Sequence, residues 1–296
     1  MKLLRTILFP FVPIYYLVTW LRNKLYDLEV FKSKSYNLPI ICVGNLSAGG
    51  TGKTPMTEYL IRLLKDKNKL AVLSRGYGRN TNGFVLANSN ATAEIIGDEP
   101  FQFYSKFNKD VTIAVSESRQ EGIEKLMDLK SPEIIILDDA FQHRKVKAGF
   151  NILLTTHDDL YTEDFVLPTG NLREPRTGAK RADMIVVTKC PINLNSNDKI
   201  LIEEQLKLNE NQELYFSTIK YSNEIISKTE TISLQGLKEK KFTLITGIAK
   251  ADLIVKYLKS QNLDFEHLNF RDHHNFSEKE ITELETKQFI LTTEKD

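Results

Sequence analysis

The stretch Ser47-Ala48-Gly49-Gly50-Thr51-Gly52-Lys53-Thr54 follows the apolar run Ile40-Ile41-Cys42-Val43 and precedes a helical pattern. That succession constrains the fold more than any other feature, because a strand, a glycine loop and a helix in this order form one βα unit of an open sheet. It is also a phosphate cradle. Small residues let backbone N–H groups turn onto phosphate oxygens, a lysine reaches the β- and γ-phosphates, and a hydroxyl holds Mg²⁺. Lys53 and Thr54 fit the last two roles. The usual pattern G-x-x-x-x-G-K-[ST] has glycine where this chain has Ser47, so the first turn is expected to form without a positive φ there, with Gly49 and Gly50 compensating.

A second apolar run, Ile134-Ile135-Ile136-Leu137, ends in Asp138-Asp139. It reads as a buried parallel strand that delivers carboxylates to its carboxyl end, where open α/β sheets bind ligands. One of the two would hold Mg²⁺, directly or through water, as the second half of a Mg-ATP site. Taken alone, an Asp pair after a strand is equally a turn or a helix cap.

Further apolar segments recur with helical stretches between them: Leu70–Leu73, Val111–Val115, Ile152–Leu154 and Met184–Val187. The alternation predicts a P-loop-like α/β fold, a mostly parallel sheet with helices on both faces. The polar, asparagine-bearing stretch from Lys189 to Gln212 suggests a boundary, and Phe242–Gly247 opens a second α/β segment. The expected organisation is an N-terminal segment over 1–35, a P-loop core over 36–212, a β-rich connector over 213–240 and a smaller lobe over 241–296.

The formal charge of +1 argues against a general nucleic-acid binder, and nothing in the sequence points to an obligate protein partner. Cys42 and Cys190 lie in or beside apolar runs without metal-ligand spacing, so both are expected as buried free thiols. The N-terminus stands apart. Thr6 to Leu21 carry no charge, include Phe9, Phe11, Tyr15, Tyr16 and Trp20, and are flanked by Lys2, Arg5, Arg22 and Lys24. With Pro10 and Pro13 inside, the segment falls short of the roughly 20 residues of a spanning helix. It is expected to lie in a membrane interface, with packing on the protein's own core as the alternative.

Several polar stretches sit near strand ends: Ser74-Arg75-Gly76-Tyr77-Gly78-Arg79, Gly97-Asp98-Glu99-Pro100, Ser116-Glu117-Ser118-Arg119 and Leu167-Pro168-Thr169-Gly170-Asn171-Leu172-Arg173-Glu174-Pro175. Together with Val43-Gly44-Asn45-Leu46, Asp138-Asp139-Ala140-Phe141-Gln142-His143, Asp272-His273-His274 and the closing Thr293-Glu294-Lys295-Asp296, the chain resembles the tetraacyldisaccharide 4'-kinase family.

The resemblance implies a kinase at the cytoplasmic face of the inner membrane that moves the γ-phosphate of ATP to the 4'-hydroxyl of a tetraacylated glucosamine disaccharide 1-phosphate, in lipid A synthesis. By position it implies Lys53 and Thr54 as phosphate and Mg²⁺ contacts, Asp138 and Asp139 as the metal-side pair, Asp98 as the base with His273 as its partner, and Arg119, Arg173 and Glu174 in the active site. The chain departs from the family pattern at Ala140, where glycine is expected, and at Lys250, where asparagine is expected; members continue past Asp296, so the second lobe is expected to be truncated. Two other classes stay open from the residues alone: a membrane-positioning ATPase and a nucleotide-sensing module without transfer chemistry.

Overall fold

A computed structural model describes residues 5, 7–227, 229–248, 251–272, 274 and 276–294. It divides into two compact units, Met1–Ile219 and Lys220–Asp296.

The first unit opens with helix α1 (Val12–Asp27), after which come β1 (Ile40–Asn45), α2 (Lys53–Leu64), β2 (Leu70–Ser74), β3 (Val85–Leu86), α3 (Ala93–Ile96), α4 (Asp98–Phe107), β4 (Val111–Val115), α5 (Arg119–Lys130), β5 (Ile134–Asp138), β6 (Phe150–Thr156), β7 (Met184–Thr188), α6 (Ser196–Leu206) and β8 (Glu213–Phe216). One eight-stranded sheet results, in the order β3-β4-β2-β5-β1-β6-β7-β8. Every pairing is parallel except that of the two-residue edge strand β3 with β4. The expected α/β architecture is therefore the one observed.

Alternate residues of the central strands enter different cores, as a pleated strand requires. Cys42, Ile135, Leu137 and Leu153 pack on one face with Ile123 and Leu126 of α5 and Ile202 and Leu206 of α6. Val43, Ile136, Ile152 and Leu154 pack on the other with Leu60 and Ile61 of α2 and Phe103 and Phe107 of α4. Burial on both faces explains why these strands read as unbroken apolar runs and not as alternating ones. Cys42 and Cys190 are both buried and free, and burial pushes the Cys42 thiol up to about 12.

Strand β8 lies inside the 213–240 stretch expected as a connector, yet it pairs with β7 from Met184↔Glu213 to Val187↔Phe216 and completes the main sheet. The division thus falls at Ile219, beyond Gln212. The polar stretch read as a boundary contains α6 and leads into this last strand of the sheet.

The second unit has its own core of Leu234, Leu237, Phe242, Leu244, Leu258 and Leu263. It contains an antiparallel pair, β9 (Glu224–Ile226) with β10 (Thr231–Ser233), and a parallel sheet in which β11 (Phe242–Thr246) lies between β12 (Phe265–Asn269) and β13 (Ile290–Leu291). Helices α7 (Asp252–Ser260) and α8 (Glu278–Glu285) follow β11 and β12, and α8 is started by a capping box between Ser277 and Glu280.

Candidate functional site

The glycine loop leaves the carboxyl end of β1, the central strand that separates β5 from β6. This is the place where a doubly wound sheet opens for a ligand. The left-handed turns fall on Gly49 (φ 133°) and Gly52 (φ 90°), while Ser47 keeps negative φ, so serine at that position imposes no backbone strain. Gly50 is not among the positive-φ residues; the compensation comes from Gly49 and Gly52. The loop is held from several sides. Asn45 donates through Nδ2 to Thr51 Oγ1 at 2.8 Å, and Thr188 Oγ1 at the end of β7 donates to the Thr51 carbonyl at 2.8 Å. The Lys189 ammonium reaches the Gly50 carbonyl at 2.6 Å.

Lys53 and Thr54 are the first residues of α2, where free N–H groups and the helix dipole favour an anion. Lys53 Nζ stands 3.7 Å from Asp139 Oδ2. Arg173 NH1 donates to the other oxygen of Asp139 at 2.9 Å. Burial pulls the Asp139 carboxyl up, but Lys53 and Arg173 together outweigh it and hold the group below the usual carboxylate range.

Asp138 behaves in the opposite way. It is 6% exposed, accepts from Thr57 Oγ1 at 3.1 Å and from Ser74 Oγ at 3.2 Å, and has its pKa raised to about 6 by burial first and by the charge of Asp139 next. Two adjacent carboxylates are thereby split into an ionised one at the lysine and one poised near neutrality beneath it. The backbone at this point is also specific: Asp139 has φ 45°, in the left-handed region that aspartate tolerates better than most residues. The glycine expected next is dispensable for the same reason, since Ala140 is not among the positive-φ residues.

Arg119 begins α5 and is 3% exposed. It donates to the Ser116 carbonyl at 2.6 Å and to the Asp138 carbonyl at 3.4 Å, and burial lowers its pKa to about 10. It sits under the acidic pair as fixed positive charge. His143, in the turn after β5, is kept neutral down to about pH 4 by burial and by the nearby Arg119 and Arg75 charges.

Glu174 is buried at 2% exposure, with both oxygens engaged: Oε2 accepts from Asn23 Nδ2 (2.6 Å) and Arg181 NH1 (2.9 Å), Oε1 from Arg181 NH2 (2.8 Å) and Gln142 Nε2 (3.0 Å). Its geometry is that of a structural node. Asp98 opens α4 directly after Gly97 (φ 91°), whose Cα packs so tightly on the backbone of Gly76 and Tyr77 that an added Cβ would lie 2.9–3.0 Å from it. The Gly-Asp-Glu-Pro turn is thus fastened to the loop that leaves β2. His273, like Lys250, lies outside the described residues. The adjacent His274 bonds Glu280 Oε1 at 3.1 Å and stacks on Phe270.

Sequence reasoning missed the supports. Thr57, Ser74, Thr188, Gln142, Arg181 and Asn23 position the loop and the acids, and only Ser74 and Gln142 fell within motifs already singled out. Thr57 carries a local signal, lying one helical turn after Lys53 on the face toward the sheet.

A family model described as tetraacyldisaccharide-1-P 4'-kinase (LpxK) matches residues 4–296. The tetraacyldisaccharide 4'-kinase of Flavobacterium johnsoniae is 54% identical over 300 residues, covering 100% of this chain and 87% of that protein. The enzyme of that description from Bacteroides fragilis is 47% identical over 294 residues, with 93% of this chain and 77% of that one covered. Among solved structures, LpxK from Aquifex aeolicus in complex with ATP superposes with a TM-score of 0.80 at 33% identity, over 99% of this chain and 89% of that one.

Proposed function

This chain belongs to the tetraacyldisaccharide 4'-kinase family, and from that premise we propose how its residues perform ATP-dependent phosphorylation of the 4'-hydroxyl of a tetraacyl glucosamine disaccharide 1-phosphate in lipid A biosynthesis. The supporting observation is the convergence of Lys53, Arg119, Arg173, Asp138 and Asp139 on the glycine loop at one sheet edge. Phosphoryl transfer asks a protein mainly for positioning and for neutralising charge spread over the transferred group. Three cations around two acids answer that demand.

In this reading the loop from Ser47 to Thr54 wraps the ATP phosphates, and Lys53 exchanges its contact with Asp139 for the β- and γ-phosphates. Among the described residues no cluster of three His, Cys, Asp or Glu side chains is arranged to hold a metal. Asp138 and Asp139 at the end of β5 offer two carboxylates and Thr54 at the start of α2 a hydroxyl, a donor set that suits Mg²⁺, which takes one or two carboxylates and completes its shell with phosphate oxygens and water. Thr54 with Asp138 or Asp139 would hold the ion, which supplies charge neutralisation when bound. Asp98 accepts the proton of the sugar hydroxyl as the hydroxyl oxygen bonds to the γ-phosphorus and ADP leaves, and His273 is carried over from the family resemblance as a further catalytic residue.

The remaining part of the proposal concerns location. No helix among the described residues is long and apolar enough to cross a membrane. On α1, Ile14, Leu17, Val18 and Leu21 fall at i, i+3, i+4, i+7 spacing, yet they are 49–61% exposed. An apolar stripe turned outward suits a helix lying in a membrane interface, here the cytoplasmic face of the inner membrane, where the lipid substrate would be met.

The role of Asp98 is tested by kinetics. Asp98→Asn and His273→Ala should each lower kcat by about 10²–10⁴ with smaller changes in the KM for ATP. A near-normal kcat in Asp98→Asn would remove the base.

A further inference from the structure

Helix α1 inverts the ordinary amphipathic arrangement. With its apolar stripe outward, it packs on the main core through Val12 and Tyr15, buries Tyr26, and adds polar groups that reach the segments beside the glycine loop. Two of these, on Tyr15 and Asn23, grip the segment Asn171–Glu174, which in turn lies along the glycine loop, with Ser47 bridged to Leu172. Ahead of the helix, Arg5 NH1 donates to Asn171 Oδ1 at 2.7 Å, and the Asn171 carbonyl accepts from the Ala48 N–H at 2.7 Å. Tyr15 Oη donates to the Arg173 carbonyl at 2.9 Å; the Arg173 N–H donates to Leu46 at 2.7 Å, and its guanidinium holds Asp139.

A second line runs deeper. Asn23 Nδ2 donates to Glu174, whose other oxygen takes the Gln142 amide, and the same Nε2 donates to the Asn45 carbonyl at 2.8 Å. Asn45 then holds Thr51. Arg22 NH2 adds a bond to the Gln142 carbonyl at 2.8 Å. Every residue from Leu46 to Thr51 that these lines touch belongs to the phosphate loop or its entrance.

We propose that Asn171–Glu174 is a strap between helix α1 and the phosphate loop, and that Asn23 and Gln142 are positioning residues that set the loop for ATP. A glycine-bearing loop has more backbone freedom to lose than any other, so bonds that order it beforehand raise the affinity for the group that must order it. The helix thereby acts on the nucleotide as well as on the lipid surface. This rests on the reading of the loop as the ATP site and adds to it a control over affinity exerted by α1.

The test is titration of the full chain, in detergent without lipid, with a non-hydrolysable ATP analogue and Mg²⁺. Asn23→Leu and Gln142→Leu should each weaken the analogue about tenfold, and the double variant should be no weaker than the worse single one, because Asn23 acts on the loop through Glu174 and Gln142 in series. The order of the line is Asn23 to Glu174 to Gln142 to Asn45, with Gln142 contacting Asn45 directly. In turnover assays the same variants should raise the KM for ATP while that for lipid holds. Leu17→Ser/Leu21→Ser, which alters only the outward stripe, should leave analogue affinity within about twofold. Unchanged affinity in folded Asn23→Leu would overturn the proposal, as would an equal loss in Leu17→Ser/Leu21→Ser. Should Asn23→Leu fail to fold, Tyr15→Phe carries the same expectation at about threefold, and no change in it is equally decisive. Because binding is read without lipid, a wild-type chain that failed to phosphorylate lipid would sink the kinase reading and leave this result interpretable.

Discussion

Asp138 carries the clearest conflict between charge and surroundings. Its rise from 3.8 to about 6 corresponds to about 3 kcal/mol. The sign follows from linkage: a carboxyl raised on folding contributes stability below pH 3.8 and loses it as pH climbs through 6, so at pH 7 the ionised group weakens the fold. Asp138→Asn keeps partners for Thr57 and Ser74 and removes the charge. It should raise the thermal midpoint at pH 7.5, the gain shrinking toward pH 5, while turnover is lost; a midpoint lower at pH 7.5 than at pH 5 relative to wild type would contradict this. Lys53→Ala should behave differently. Arg173 remains on Asp139, so the fold should persist by circular dichroism while turnover drops by about 10³ or more, the scale of a removed charge-stabilising group. Wild-type turnover would take the loop out of the mechanism. Lys53, Thr54, Asp138 and Asp139 were readable in the sequence because their chemistry is carried by neighbours along the chain. The structural work of Glu174 was not, since Asn23 lies 151 residues away and Gln142 lies 32 away.

At the level of elements, the strands were readable because burial on both faces forces continuous apolar runs, and Val111–Val115 was placed to the residue. Strand β8 was misassigned to a connector since its burial alternates and its partner, β7, lies across a helix. Helix α1 was readable as apolar but not as inverted, because a periodicity gives a face without saying what it meets. That distinction changes the experiment on membrane binding. Deleting residues 1–21 would also cut Arg5 from Asn171 and Tyr15 from Arg173, so it cannot isolate the lipid contact. Leu17→Ser/Leu21→Ser can. Losing two partly inserted leucines should weaken partition into vesicles of anionic phospholipid by roughly 10²-fold, and unchanged sedimentation with vesicles would place the membrane contact elsewhere.

At the level of the whole molecule, one P-loop unit supplies the nucleotide chemistry and a second, separately cored unit carries the segment around Asp272. The fold alone would serve an ATPase or a sensor as readily as a kinase. Transfer to a lipid sugar separates them. The direct measurement is incubation of the full chain with ATP carrying an isotopically labelled γ-phosphate and the tetraacyl disaccharide 1-phosphate in detergent, followed by mass spectrometry of the lipid. The predicted result is one labelled phosphate on the distal sugar for each ADP formed. ADP formation with the lipid unchanged would contradict the assignment of this chain as a lipid kinase.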